Sequence, residues 1–228
     1  TRAPTFVTGL DASIARWQMN CRFAQEKLPS VSAAPHPNSC TFQNTFDRGI
    51  AGQATIIAPE GWNIQPSQIT FRLAEGESMK QPFTITLPFD ATTGRHPVRI
   101  DFEIQTTPSE KFSVFRNFDV GLGVVHIEVE ARLNDQGELE VVQRMVNEGS
   151  ERVTFRCQLF IPGRRRMMTQ VVNLANGYDE QVYRIPEGAG LAGETLWLRG
   201  EEVNGPRVLN YRFIAPAPKP VSSPTPSP

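Results

Sequence analysis

Apolar residues recur at every second position through most of this chain, and seldom at the helical spacing of three or four. Val98, Ile100, Phe102 and Ile104 alternate with Arg99, Asp101 and Glu103, the pattern of a strand with one buried and one wet face. Thr41–Phe46 and Ile69–Leu73 alternate likewise, and Phe83, Ile85 and Leu87 alternate with Thr84 and Thr86. Gly52–Ala58 reads as a short strand ended by Pro59, and Phe112, Val114, Phe118 and Val120 hold phase across Arg116. Asp47-Arg48-Gly49 and Glu75-Gly76 turn the chain between these runs. Strands at roughly 10- to 15-residue spacing, divided by Gly, Pro and Asp with no helical period between them, predict an all-β sandwich.

Gly121-Leu122-Gly123 opens a second series. Val125, Ile127, Val129, Ala131 and Leu133 face one way, and His126, Glu128, Glu130 and Arg132 the other. Six further strands are predicted over 139–147, 153–161, 167–174, 181–185, 195–199 and 207–214. The second series repeats the first. Asn44 recurs as Asn147 and Pro59 as Pro162, both at an offset of 103. Leu73-Ala74-Glu75-Gly76 recurs as Leu174-Ala175-Asn176-Gly177 at 101, Pro88 as Pro186 at 98, and Gly94 as Gly193 at 99. Turn residues that hold a nearly constant offset mark two copies of one fold. The copies differ at their starts, since nothing in residues 22–30 matches the strand at Val125–Leu133.

The ends are different in character. Ala12–Phe23 suits a short helix with Asp11 as N-cap and Ile14, Trp17 and Cys21 on one face. The Pro/Ser/Ala-rich stretch 29–38 reads as loop. Residues 216–228 carry six prolines and cannot build a core, so they read as an extended tail or linker. The expected organisation is therefore a poorly defined segment 1–38, a β-sandwich 39–121, a second β-sandwich 122–215 and a flexible tail 216–228. Together the sandwiches are two tandem immunoglobulin-like, fibronectin-like domains.

Composition narrows the function. With 23 Lys and Arg against 24 Asp and Glu, the net charge of −1 gives no global field towards nucleic acid or an anionic membrane. No apolar run has the length of a transmembrane helix. Of three cysteines, Cys21 and Cys40 are free to pair in an oxidising compartment, and Cys157, in phase with Phe155 and Leu159, reads as a buried thiol.

The stretch Pro59-Glu60-Gly61-Trp62, Leu73-Ala74-Glu75-Gly76-Glu77, Pro88 and Gly94, with Asn44 ending an earlier strand, resembles a known family. It is similar to the fibronectin type III/immunoglobulin-like β-sandwich associated with carbohydrate-binding modules in alpha-galactosidases. The likeness covers roughly residues 40–105, and the second copy shares it through the repeat. The chain departs from the pattern at Arg95-His96-Pro97, where the family has an aromatic residue, and at Gly163-Arg164, where it has Gly-Trp. The resemblance implies an accessory domain without catalysis. The residues themselves agree with a scaffold role: Pro59 removes a ladder donor, Gly61 admits a positive φ, and Trp62 supplies apolar surface.

Candidates for chemistry are few. Trp62, Trp197 and Tyr211 are candidates for a sugar-stacking platform, against the plainer reading as core and edge residues. Arg164-Arg165-Arg166 forms a basic loop that suits an acidic partner or a solvated turn. His126, Glu128 and Glu130 share a strand face, which suits a metal less well than solvent, and His36 and His96 have no ligand partners nearby in sequence. Gly121-Leu122-Gly123 precedes a strand, so it is no dinucleotide fingerprint, and the adjacent Glu201 and Glu202 point to opposite faces. No metal, cofactor or catalytic set is expected. The expectation is a non-catalytic protein-interaction or spacer module of a secreted or envelope-associated bacterial protein, with a protein or envelope component as partner. The alternative is a carbohydrate-binding accessory domain of a glycoside-active enzyme.

Overall fold

In the computed structural model the described residues are 10–106 and 109–218, with side-chain surroundings from Ala12 onward. The chain divides into two compact units, residues 1–120 and 121–228. The protein is all-β apart from one α-helix and one 3-10 turn.

The first unit runs α1 (Leu10–Asn20), β1 (Arg22–Phe23), β2 (Lys27–Leu28), β3 (Pro35–Gln43), β4 (Ile50–Ile57), β5 (Asn63–Gln65), β6 (Gln68–Leu73), β7 (Ser78–Thr86), β8 (Gly94–Ile104) and β9 (Glu110–Val120). One sheet has the order β1-β3-β7-β5 and the other β2-β9-β8-β4-β6. The alternating apolar residues of both sheets, among them Phe42, Ile85, Phe71, Ile100 and Phe102, meet in one core. That is the sandwich the two-residue period requires, because each strand buries one face only.

The N-terminal region corrects the sequence-based expectation. Residues 29–38 were expected as loop, yet β3 begins at Pro35, pairing Pro35 with Thr86 and Asn38 with Phe83. Pro35-His36-Pro37-Asn38 hides its strand character because two prolines break the propensity signal without breaking this pairing. The helix starts by Leu10, so Asp11 is a helical residue and not the cap. Trp17 is fully buried and lies against Phe42 of one sheet and Phe71, Phe102 and Phe112 of the other. Residues 10–38 thus supply part of the first unit's core. Arg116 explains the one charge in the inward phase of β9: its guanidinium donates to the carbonyls of Gln18 and, at 2.7 Å, Cys21, which end α1. Cys21 and Cys40 are buried free thiols with Sγ atoms 3.8 Å apart.

The second unit runs β10 (Val125–Leu133), β11 (Leu139–Asn147), β12 (Val153–Phe160), β13 (Met167–Leu174), β14 (Gly177–Ile185), β15 (Thr195–Glu202) and β16 (Val208–Ile214). Its sheets have the orders β10-β11-β14 and β13-β12-β15-β16. β14 starts earlier than the predicted 181–185, because its inward positions Asp179 and Gln181 are polar and blur the alternation. Cys157 is buried as expected, but as part of a polar row: Gln143 donates Nε2–H to its sulfur at 3.2 Å and accepts from Tyr183 Oη at 2.8 Å. Burial pushes the Cys157 thiol up to about 11, the Gln143 bond opposing it.

The two units share a topology. β9-β8-β4-β6 matches β16-β15-β12-β13, and β3-β7 matches β11-β14. Asn44 and Asn147, each 1% exposed, close the same corner in each. Asn44 Nδ2 donates to Arg48 O at 2.7 Å and Ala74 O at 2.8 Å, and its Oδ1 accepts from Phe46 N at 3.0 Å. Asn147 Nδ2 donates to Glu151 O at 2.7 Å and Leu174 O at 3.0 Å, and its Oδ1 accepts from Gly149 N at 2.9 Å. The repeated Asn is a buried latch between the turn after one strand and the end of another.

Candidate interaction surface

The motif residues Asn44, Pro59, Gly61, Trp62, Gly76, Pro88 and Gly94 all serve the scaffold of the first unit. Trp62 N donates to Pro59 O at 3.2 Å, closing a turn whose Gly61 has φ +80°. A Cβ on Gly61 would meet the Pro88 ring at 3.4 Å, so two distant pieces of the motif touch. Trp62 is half-buried between Phe118 and His96. Gly76 and Gly94 also take positive φ, at turns between strands.

The aromatic platform does not form. Register puts Leu198 opposite Tyr211 and Trp197 opposite Arg212, so Trp197 projects from the outer face of its sheet and Tyr211 from the inner. Neighbouring strands place side chains of adjacent register rows on opposite faces, which separates these two rings. Trp197 stacks on Phe160 with centroids 4.7 Å apart, lies near the guanidinium groups of Arg199 and Arg212, and donates Nε1–H to Asn210 at 3.1 Å. The Tyr211 hydroxyl accepts from Ile127 N at 3.1 Å and joins the edges of the two sheets. Trp62 belongs to the first unit.

The remaining candidates have structural partners. Glu128 faces Arg144, 3.6 Å away, and Arg144 also binds Glu180 at 2.9 Å and lies over the Tyr178 ring, so the outer row of β10 is a charge ladder. Among the described residues no group of three His, Cys, Asp or Glu gathers in metal-binding proximity. His36 and His96 reach the carbonyls of Val31 and Thr92. Glu201 pairs with Arg199, while Glu202 forms a forked pair with Arg207 that lowers the Glu202 carboxyl below its ordinary value.

The basic loop is divided in its work. Arg164 donates to the carbonyls of Pro186 and Glu187, pinning the turn before β13 to the end of β14. Arg165 and Arg166 are exposed, and within the described residues they enter no ion pair.

Beside them lies a surface that the sequence reading missed. Met168 and Val172 on β13 are 56% and 66% exposed, and Tyr178 and Val182 on β14 are 64% and 47% exposed. The topology makes the two units each other's reference. Gln158↔Met168 corresponds to Thr55↔Gln68, so Met168 stands where the first unit has Gln68. Thr70 and Arg72 continue the outward row of β6, as Gln170 and Val172 do on β13. Val146↔Tyr178 and Val142↔Val182 correspond to Gln43↔Ser78 and Ser39↔Pro82, with Glu180 in the place of Lys80. The first unit therefore carries polar residues, Lys and Pro along the edges where the second carries Met, Val and Tyr. Lys and Pro are the residues that keep an edge from pairing. The signal was present in the sequence as a difference between the copies, and alternation alone does not reveal it.

No protein-family model matches the chain, and no curated protein matches it. Among solved structures it is similar to red sea bream transglutaminase at 12% identity and TM-score 0.33, covering 86% of this chain and 31% of that one. It is similar to the E. coli chaperone DraB at 11% identity and TM-score 0.30, covering 86% and 98%. It is likewise similar to the Pseudomonas aeruginosa CupB2 chaperone at 12% identity and TM-score 0.31, covering 86% and 99%. Superpositions this loose carry no function to this chain.

Proposed function

We propose that the chain is a non-catalytic protein-interaction module of a secreted or envelope-associated protein, with the second unit making the contact. The observation that carries this reading is the apolar row Met168, Val172, Tyr178 and Val182 at positions where the first unit is polar or blunted. Exposed apolar side chains gathered on one side of a domain mark an interaction surface more often than they mark nothing. The resemblance of the Pro59–Gly94 stretch to an accessory β-sandwich supports a supporting role beside other domains. The polar groups weighed for chemistry sit in structural pairs: Gln143 with Cys157 and Tyr183, Glu202 with Arg207, Arg164 with backbone carbonyls.

The test is a photo-crosslinking side chain placed at Val182 and, separately, at the equivalent Pro82, with the chain incubated in an envelope extract of its source. Protein adducts at 182 and few at 82 are expected. Equal labelling at both positions, or none at either, overturns the proposal. A glycan array run beside it covers the carbohydrate reading: a saturable signal lost in Trp197→Ala would replace protein by sugar as the partner.

A further inference from the structure

We infer that β13 is a docking edge for an extended segment of a partner protein, apolar at alternate positions and acidic at one end, taken up as an added strand of the β13-β12-β15-β16 sheet. This rests on the protein-interaction reading above and names its place and its partner's chemistry.

Three observations converge. First, β13 is terminal in its sheet: among the described residues it pairs with β12 alone. A terminal strand presents unpaired N–H and C=O groups along one side, which an extended chain satisfies by main-chain bonds while side chains give specificity. Second, β13 lacks the devices that protect such an edge. It has no Lys, no Pro and no charged residue over Met167–Leu174, and its outward row is Met168, Gln170 and Val172. Its counterpart β6 is outwardly Gln68, Thr70 and Arg72, so the fold itself does not require the apolar row. An added strand with apolar side chains level with Met168 and Val172 would form the cross-strand pairs that stabilise a sheet.

Third, charge selects the occupant. Arg165 and Arg166 stand exposed at the start of β13, and Arg164 fixes the loop that carries them through the Pro186 and Glu187 carbonyls. A strand entering beside β13 passes this cationic end, which favours carboxylates there. A second copy of this chain presenting its own β13 meets the apolar row but brings no carboxylate on that strand to the arginines. An acidic segment satisfies both features.

The experiment pans a random peptide library displayed on phage against the full chain, then measures selected synthetic peptides by fluorescence anisotropy. Enriched peptides are expected to alternate apolar and polar residues beside a cluster of Asp or Glu. Binding is expected to fall at least tenfold in Met168→Lys/Val172→Lys, and severalfold in Arg165→Ala/Arg166→Ala with loss of the acidic preference. Circular dichroism of each variant confirms the fold, and Gln68→Lys/Arg72→Lys in the first unit is the matched control with unchanged binding. Peptides whose binding ignores the β13 variants overturn the edge assignment and leave the protein-interaction reading standing. Enrichment without acidic residues overturns the charge argument. Concentration-dependent dimerisation in sedimentation, abolished by Met168→Lys/Val172→Lys, makes a second copy the occupant and overturns the proposal. Failure to enrich any peptide overturns it too, and only the additional absence of crosslinks at Val182 removes the broader reading.

Discussion

The first unit opens with fragments and the second with a full strand. Where the second unit lays down nine residues of β10 beside β11, the first has Arg22–Phe23 beside β3 and then Lys27–Leu28 running parallel to β9. The missing strand leaves the sandwich open along one side, and α1 closes it by sending Trp17 among five aromatic rings. The second unit fills the same inner layer from its own strands. Phe155 of β12 occupies the position of Gly52, where a Cβ would collide with the Glu103 carbonyl and Phe71. The comparison teaches that the turns and the Asn latch define this fold, while the filling of its core and the finish of its edges are free to differ.

The strongest way to break that comparison is Trp17→Ala. Removing a fully buried Trp costs about 3–5 kcal/mol, and α1 has little else to hold it. Hydrogen exchange is expected to show collapse of protection in the first unit with the second unit's strands still protected. If both units lose protection together, the plug is not a private feature of the first.

The latch should cost the two units alike. Asn44→Ala leaves the Arg48 and Ala74 carbonyls without their donor, and Asn147→Ala does the same to Glu151 and Leu174. Each is expected to lose about 1–3 kcal/mol, read from urea unfolding monitored by exchange within each unit. A large loss in one copy and a negligible loss in the other would mean that the shared geometry does not carry shared energetics.

A smaller effect concerns pH. The Glu202 carboxyl is lowered by its forked bonds to Arg207, so its contribution is present above the ordinary carboxylate pKa and is lost as pH falls through the folded value. Unfolding midpoints of the second unit are expected to drop on acidification, and Glu202→Gln is expected to start lower and flatten that acid limb. An unchanged slope in the variant would assign the acid sensitivity to other groups.

These features differ in how legible they were. The strands of both units could be read because each buries one face, so that Val98 to Ile104 or Val153 to Ile161 carries the period of two directly. Asn44 and Asn147 stood out because a repeated polar residue at a strand end has a local cause. The N-terminal region was illegible for a physical reason: Trp17 acts through contacts with Phe71 and Phe102, more than fifty residues away in the chain. Arg116 interrupts an apolar phase for a helix end that the local sequence does not show. Trp197 and Tyr211 were named as partners because both are flat rings, but register, which alternation does not supply across strands, puts them on opposite faces. Residues 219–228 of the predicted tail lie outside the described residues.

The edge comparison offers the smallest effect on stability and the sharpest on behaviour. Tyr178→Ser and Val182→Pro would give β14 the finish of β7, and Ser78→Tyr and Pro82→Val the reverse. All four sites are exposed, where substitutions ordinarily move stability by no more than about 0.5 kcal/mol. Val182→Pro tests whether the second unit tolerates the missing N–H at that row, as the first does at Pro82 opposite Ser39. The expected outcome is a nearly unchanged unfolding midpoint in each variant. Solubility at high concentration is expected to move in opposite directions, rising when the second unit is blunted and falling when the first is stripped of Pro82. An apolar edge that is merely tolerated would leave solubility the same in both exchanges. An edge kept open for a partner accounts for a liability that one copy avoids and the other retains on the same fold.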